Sequence, residues 1–199
     1  SSARSFSSIN RSCTCLFRNT INKNSNLLLK LINDILELSR IESGRMSFAF
    51  DDCSLNELLE EIYQTHHLLM PSNIRFLKAF KETELIIHVD RFRFTQVITN
   101  FINNAVKFTT KGHILLGAVY KKEEKEVHVF VEDTGKGMSE EAQKKVFERF
   151  FKVDEFAQGT GLGLSICQTI AERLEGRITL SSQEGKGSRF TLIIPCRPK

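Results

Sequence analysis

The chain has 199 residues, of which 41% are apolar and 26% charged, both near globular averages. That composition excludes wholesale disorder, collagen-like repeats and a membrane-spanning stretch, which needs roughly 20 consecutive apolar residues. The net charge of +4 is weak and scattered, so no nucleic-acid partner is expected.

Residues 1–20 differ from the rest. SSARSFSSINRSCTC is Ser-rich, carries Arg4 and Arg11, and no acid precedes Asp34. It lacks the apolar region of a secretory signal. An organellar transit peptide is the lesser option, and a cloning junction or a disordered lead the favoured one. Residues 21–42 read as one helix. Leu28, Leu31, Ile32, Ile35 and Leu38 step by three and four, and Leu27, Leu29, Leu36 and Ile41 widen the stripe. A helix that apolar should pack in a bundle or a dimer. Gly44 suits its left-handed cap. Ser54-Leu-Asn-Glu57 is a capping box that opens a helix over 54–69, closed by Pro71.

Leu85–Val89 is a strand, and Asp90 caps a helix over 91–108. Strands over 113–120 and 127–132 flank a charged turn, with Val127, Val129 and Val131 alternating with His128, Phe130 and Glu132. Ser139 caps a short helix reaching to Phe151. A loop over 152–161 leads into a helix over 162–174 that Gly176 ends. Strands 177–182 and 188–194 are joined by Gly185-Lys-Gly187. This order predicts one mixed sheet covered on one face by helices, an α/β (α+β) two-layer sandwich with an N-terminal bundle-type helix. Cys13, Cys15, Cys53, Cys167 and Cys196 make no CxxC pair and no zinc spacing, so reduced thiols in a cytosol-like compartment are expected.

Three clusters carry chemistry. Asn100, Asn104 and Lys107 form a polar row beside the apolar face of helix 91–108. An amide carbonyl suits Mg²⁺ and an ammonium suits phosphate. Asp133-Thr-Gly135-Lys-Gly137 follows a strand, placing a carboxylate where it could accept an exocyclic amine. Gly159-Thr160-Gly161-Leu162-Gly163 opens a helix, presenting N–H groups to an anion. Neither GxGxxG nor GxxxxGK[ST] is present. Taken singly, the three could be a solvated flank, a turn and a flexible connector.

In this order and spacing they resemble the ATP-binding catalytic domain of two-component sensor histidine kinases, in the GHKL superfamily. QVITNFINNAVKFT (96–109) is similar to the N box and VEDTGKGM (131–138) to the first glycine box. FERFFKVD (147–154) resembles the F box, GTGLGLSI (159–166) the second glycine box, and GKGSRFTLIIP (185–195) the closing hairpin. LINDILELSRIESGRM (31–46) resembles the second helix of that family's dimerisation and phosphotransfer bundle. The resemblance implies that Asn104 binds Mg²⁺ with Asn100 in support. It implies that Lys107 reaches the phosphates and that Asp133 reads the adenine amino group, with Gly135 and Gly137 letting the ring approach. Lys152, and Arg149 as a second candidate, would lie near the γ-phosphate. Gly159, Thr160, Gly161, Leu162 and Gly163 would line the nucleotide, Gly161 and Gly163 cradling phosphates, under a mobile lid over 153–161. The implied domains are 21–44, an incomplete bundle, and 45–199, the catalytic domain.

One departure concerns the acceptor. His66, His67, His88, His113 and His128 lack the family's acceptor context, so autophosphorylation of this chain is not expected. The implied partners are ATP, a bundle helix carrying the acceptor His, a response-regulator receiver domain and, for the full-length protein, a second copy. No membrane contact by this chain is expected. A cytoplasmic location is expected, with inner-membrane anchoring of the parent left open. A second departure is Asn100. Topoisomerase, mismatch-repair and chaperone relatives carry Glu there as a general base for water. An amide cannot take a proton, so slow hydrolysis and phosphoryl transfer to a histidine are expected. A GHKL ATPase and a non-catalytic interaction module are the alternatives.

Overall fold

The computed structural model describes residues 2–80, 85–153 and 159–198, and only the backbone of 2–20, 23, 197 and 198. Helix α1 spans Ser2–Glu42. It is longer at its start than the helix expected over 21–42, because no Gly or Pro interrupts the chain before Gly44. The elements that follow are β1 (Asp51–Ser54), α2 (Leu55–Leu69), β2 (Ile74–Ala79), β3 (Leu85–Val89) and α3 (Arg91–Phe108). Then come β4 (Gly112–Lys121), β5 (Glu126–Asp133), α4 (Glu140–Lys145), α5 (Gly163–Arg173), β6 (Arg177–Gln183), β7 (Gly187–Pro195) and β8 (Arg197–Pro198).

The strands form two sheets rather than the single one expected. The larger has the order β2-β4-β5-β7-β6 and the smaller β1-β3-β8. The larger sheet is mixed: β2 runs parallel to β4, and the other pairs are antiparallel. Strand 85–89 leaves the main sheet because β1 offers it an antiparallel partner, Cys53 opposite Ile87. Three elements escaped the sequence reading. β1 and β8 have four and two residues, and β2, with only Ile74 and Phe76 buried, shows too little alternation.

Helices cover one face of the main sheet. Val127, Val129 and Val131 turn into that core, as do Ile114 and Leu116, all at most 1% exposed. From above they meet Phe94, Val97, Ile98, Phe101 and Ile102 of α3. The Phe101 ring stacks on Phe190 with centroids 5.4 Å apart. On the other face Phe130 lies over Gly117, where a Cβ would come within 2.2 Å of its ring, and the Arg189 guanidinium covers it at 4.2 Å.

Caps fall where the sequence placed them. Ser54 accepts the Glu57 N–H, and Asp90 accepts Arg93 N–H at 2.9 Å and also Ala49 N–H at 2.8 Å. The short helix stops at Lys145 instead of Phe151. Beyond it Phe150 takes φ +63°, and its N–H donates to the Gly161 carbonyl at 2.9 Å. Helix α1 docks on the sandwich through Leu38 and Ile41. Glu37 accepts from Arg93 and Gln96. Leu28, Leu29, Ile32, Ile35 and Leu36 remain exposed on its other faces. Among the described residues no helix is long and apolar enough to cross a membrane. Cys53, Cys167 and Cys196 are free and buried, while the side chains of Cys13 and Cys15 lie outside the described residues.

Candidate functional site

One cleft opens between α3, the end of β5 and the loop before α5. Asn100, Asn104 and Lys107 line it from α3, Asp133 from the end of β5 and Gly137 from the segment that follows. Lys152, Gly159, Thr160, Gly161 and Gly163 line it from the loop side. Ten of the thirteen residues singled out from the sequence therefore meet at one place, although they are drawn from segments 63 residues apart in the chain. Helical spacing explains the first row: positions 100, 104 and 107 share one stripe of α3, at the margin of the face that packs on the sheet.

Three expected residues stand elsewhere. Gly135 does not line the cleft; it sits behind Asp133, to whose Oδ1 its N–H donates at 2.8 Å. Leu162 is fully buried beneath the loop, as the residue preceding α5. Arg149 turns away and pairs with Glu42 of α1 at the surface. Of the lid expected over 153–161, residues 154–158 lie outside the described residues.

The two ends of the cleft differ in chemistry. At one end Asp133 is 7% exposed. Burial raises its pKa above the ordinary value of 3.8, while N–H donors from Gly135 and Ser188 pull it back. Met138, Val146 and Phe190 supply apolar walls. A desolvated carboxylate among apolar side chains is a selective acceptor for a flat, amine-bearing ring. At the other end Lys107 lies against Gly159, where a Cβ would stand 3.1 Å from its Nζ. Lys30, Lys136 and Lys152 also line the cleft. Asp133 is the one acid among the described lining residues, so the cleft as a whole favours an anion.

Between the ends, Asn104 Nδ2 donates to Asn100 Oδ1 at 3.1 Å. That bond uses the Asn104 nitrogen and leaves its carbonyl oxygen for a hard cation. Gly163 is required at the first turn of α5 by this pair, since a Cβ there would fall 2.4 Å from Asn100 Nδ2. Gly161 similarly lets the loop pass the Phe150 backbone, 2.7 Å from where its Cβ would be.

Sequence reasoning missed Lys30, Asp34 and Ser188. Asp34 Oδ2 accepts the Thr160 hydroxyl at 2.5 Å. Lys30 and Asp34 stand one turn apart on α1, but nothing in the sequence shows that this turn lies over the cleft. None of the five histidines lines it. His66 sits 3.3 Å from Thr99 Oγ1, and burial lowers its pKa. His67 stacks on Tyr63 and His88 pairs with Asp52. His113 is the second residue of β4, and His128 faces Glu124 and Glu126.

The fold and cleft define an α/β sandwich with an anion-accepting pocket under its helical layer. Residues 89–198 match the family described as histidine kinase-, DNA gyrase B- and HSP90-like ATPase, and the chain belongs to that family. Among curated proteins, it is 35% identical over 181 residues to the sensor histidine kinase RcsC of Escherichia coli (strain K12), covering 88% of this chain and 19% of RcsC. It is 30% identical over 173 residues to the sensor histidine kinase WalK of Bacillus subtilis (strain 168), covering 84% of this chain and 28% of WalK. The chain thus spans less than a third of either relative. Among solved structures, the catalytic domain of the histidine kinase ThkA superposes with a TM-score of 0.63 at 34% identity, over 74% of this chain and 95% of that one. Full-length ShkA in complex with AMPPNP superposes with a TM-score of 0.79 at 27% identity, over 95% of this chain and 39% of that one.

Proposed function

We propose that this chain is the Mg·ATP-binding catalytic unit of a sensor histidine kinase, acting in two-component signalling. The observation that carries this is one cleft with a buried carboxylate at one end and lysines at the other, joined by the Asn100–Asn104 pair. Asp133 accepts the adenine amino group between the apolar walls. Lys107 and Lys152 hold the phosphates, and the glycine loop at the start of α5 adds backbone N–H donors to them from Gly161 and Gly163. The cleft fits a magnesium ion, because Asn104 offers one hard oxygen and leaves the other positions to phosphate and water. Bound there, the ion neutralises charge on the phosphate oxygens. The residues of this chain supply positioning and charge, which is most of what phosphoryl transfer asks of a protein.

The acceptor imidazole comes from outside these residues, on a bundle helix partnering α1. It attacks the γ-phosphorus, an N–P bond forms, and the bridging P–O bond breaks to release ADP. A response-regulator receiver domain is the next carrier of the phosphoryl group. The bundle unit at 21–44 and the catalytic unit at 45–199 are the corresponding division of the chain. In the second glycine box Thr160 is read as a loop anchor and Leu162 as packing, and in the first Gly135 is read as packing behind Asp133.

The test is γ-labelled ATP with Mg²⁺ and the chain alone. No label on a histidine and very slow phosphate release are expected, because Asn100 cannot act as a base. Turnover near about 1 per second, ordinary for an enzyme, would favour an ATPase instead. Acid-labile label on any of the five histidines would overturn the external acceptor.

A further inference from the structure

Helix α1 reaches the cleft from outside the sandwich. Lys30 lines it, one turn before Asp34, whose Oδ2 accepts the hydroxyl of Thr160 at 2.5 Å. Thr160 is 8% exposed, so this contact is sheltered from water. Side chains at i and i+4 lie one above the other on a helix. Lys30 and Asp34 therefore face the same loop, and the neighbouring Gly159 touches Lys107. This puts Lys30 at the lysine-bearing end of the cleft, away from Asp133.

The helix is held in that position further along. Glu37 accepts from both Arg93 and Gln96, and the side chains of Glu37 and Arg93 are only 18% and 12% exposed. Leu38 and Ile41 pack on the core. The docking face thus consists of Asp34, Glu37, Leu38 and Ile41, and Lys30 overhangs the cleft mouth at its end.

We infer that docked α1 supplies Lys30 as a ligand for the terminal phosphates of a bound nucleoside triphosphate, with Asp34 as the positioning residue that seats the helix on Thr160. This rests on the nucleotide reading given above and adds a site residue from the bundle helix. Because the ligand then bridges two units, nucleotide binding and α1 docking favour each other, as linkage requires. A nucleoside without phosphates gains nothing from Lys30.

The test is calorimetric titration of the full chain with Mg·AMPPNP and, separately, with adenosine. Lys30→Ala is expected to weaken AMPPNP about fivefold, the size of one partly screened charge contact, and to leave adenosine unchanged. Lys30→Arg restores the AMPPNP affinity, and Lys30→Ala flattens its dependence on salt. Lys30 is exposed, so neither variant threatens folding. AMPPNP binding by Lys30→Ala that is unchanged or tighter would overturn the inference, and so would an equal loss for adenosine. If Asp133→Asn abolishes both ligands while Lys30→Ala alters neither, the nucleotide reading stands and the Lys30 assignment alone fails. A wild-type chain that binds neither ligand removes both.

Discussion

Substituting Gly163 by Ala separates the fold from the site. A Cβ at 163 would fall 2.4 Å from Asn100 Nδ2 and 3.3 Å from its Cγ, about 1 Å inside ordinary contact at the amide tip. The tip belongs to a rotatable side chain, so Asn100 swings away before α5 moves. Swinging away breaks the 3.1 Å bond from Asn104. A neutral hydrogen bond contributes about 1 kcal/mol, and the freed Asn104 amide no longer presents its carbonyl in one orientation. The expected result is about fivefold weaker Mg·AMPPNP binding, with adenosine binding unchanged. Stability moves little, because Ala in a helix gains up to about 1 kcal/mol over Gly against the local crowding. The melting temperature should stay within about 3 °C. Calorimetric titration with both ligands, beside a thermal melt, reads all three quantities. Unchanged AMPPNP affinity at an unchanged melting temperature would refute the role given to the amide pair.

Two further outcomes follow from the same structure. Asp133 has a raised pKa, so ADP affinity falls as pH is lowered, beginning above the ordinary 3.8. In the free protein the ionised carboxylate costs stability above its folded pKa, and that cost vanishes below the unfolded value. Asp133→Asn should therefore melt at or above the wild-type temperature at neutral pH, yet lose its thermal shift with ADP; a lowered melting temperature would contradict the burial argument. Glu37→Ala leaves the largely buried Arg93 guanidinium without its carboxylate, with the Gln96 carbonyl and the Phe48 and Phe92 rings still against it. Breaking a buried pair costs about 3–5 kcal/mol, a cost that α1 can escape by undocking. Hydrogen exchange should then quicken in residues 27–42 while β4 and β5 keep their protection; equal quickening in both would count against a separately docked helix.

The sandwich was legible because its signals are local. The capping residues Ser54, Asp90 and Ser139, the alternation of Val127, Val129 and Val131, and the Gly176 stop each act within a few residues. The polar row on α3 was readable for the same reason, since helical periodicity alone aligns Asn100, Asn104 and Lys107. What escaped depends on distant partners. Strand 85–89 has a clear pattern, yet nothing local tells whether it pairs with β1 or with the main sheet. Helix 139–151 ends early because Phe150 is bound to Gly161, a contact across the loop. Arg149 looked like a site residue until α1 offered it Glu42. Lys30 and Asp34 were invisible for the converse reason: their chemistry was plain, but their place over the cleft is set by Glu37 and Arg93, residues far apart in the chain.

The most direct test is titration of ADP against the full chain, in Mg²⁺ and in chelator, beside its Asp133→Asn variant. Micromolar binding, on the order of −8 kcal/mol, that weakens in chelator and disappears in the variant is the predicted result. A folded chain that takes up no nucleotide, or a variant that binds as tightly as wild type, would contradict the assignment of the cleft.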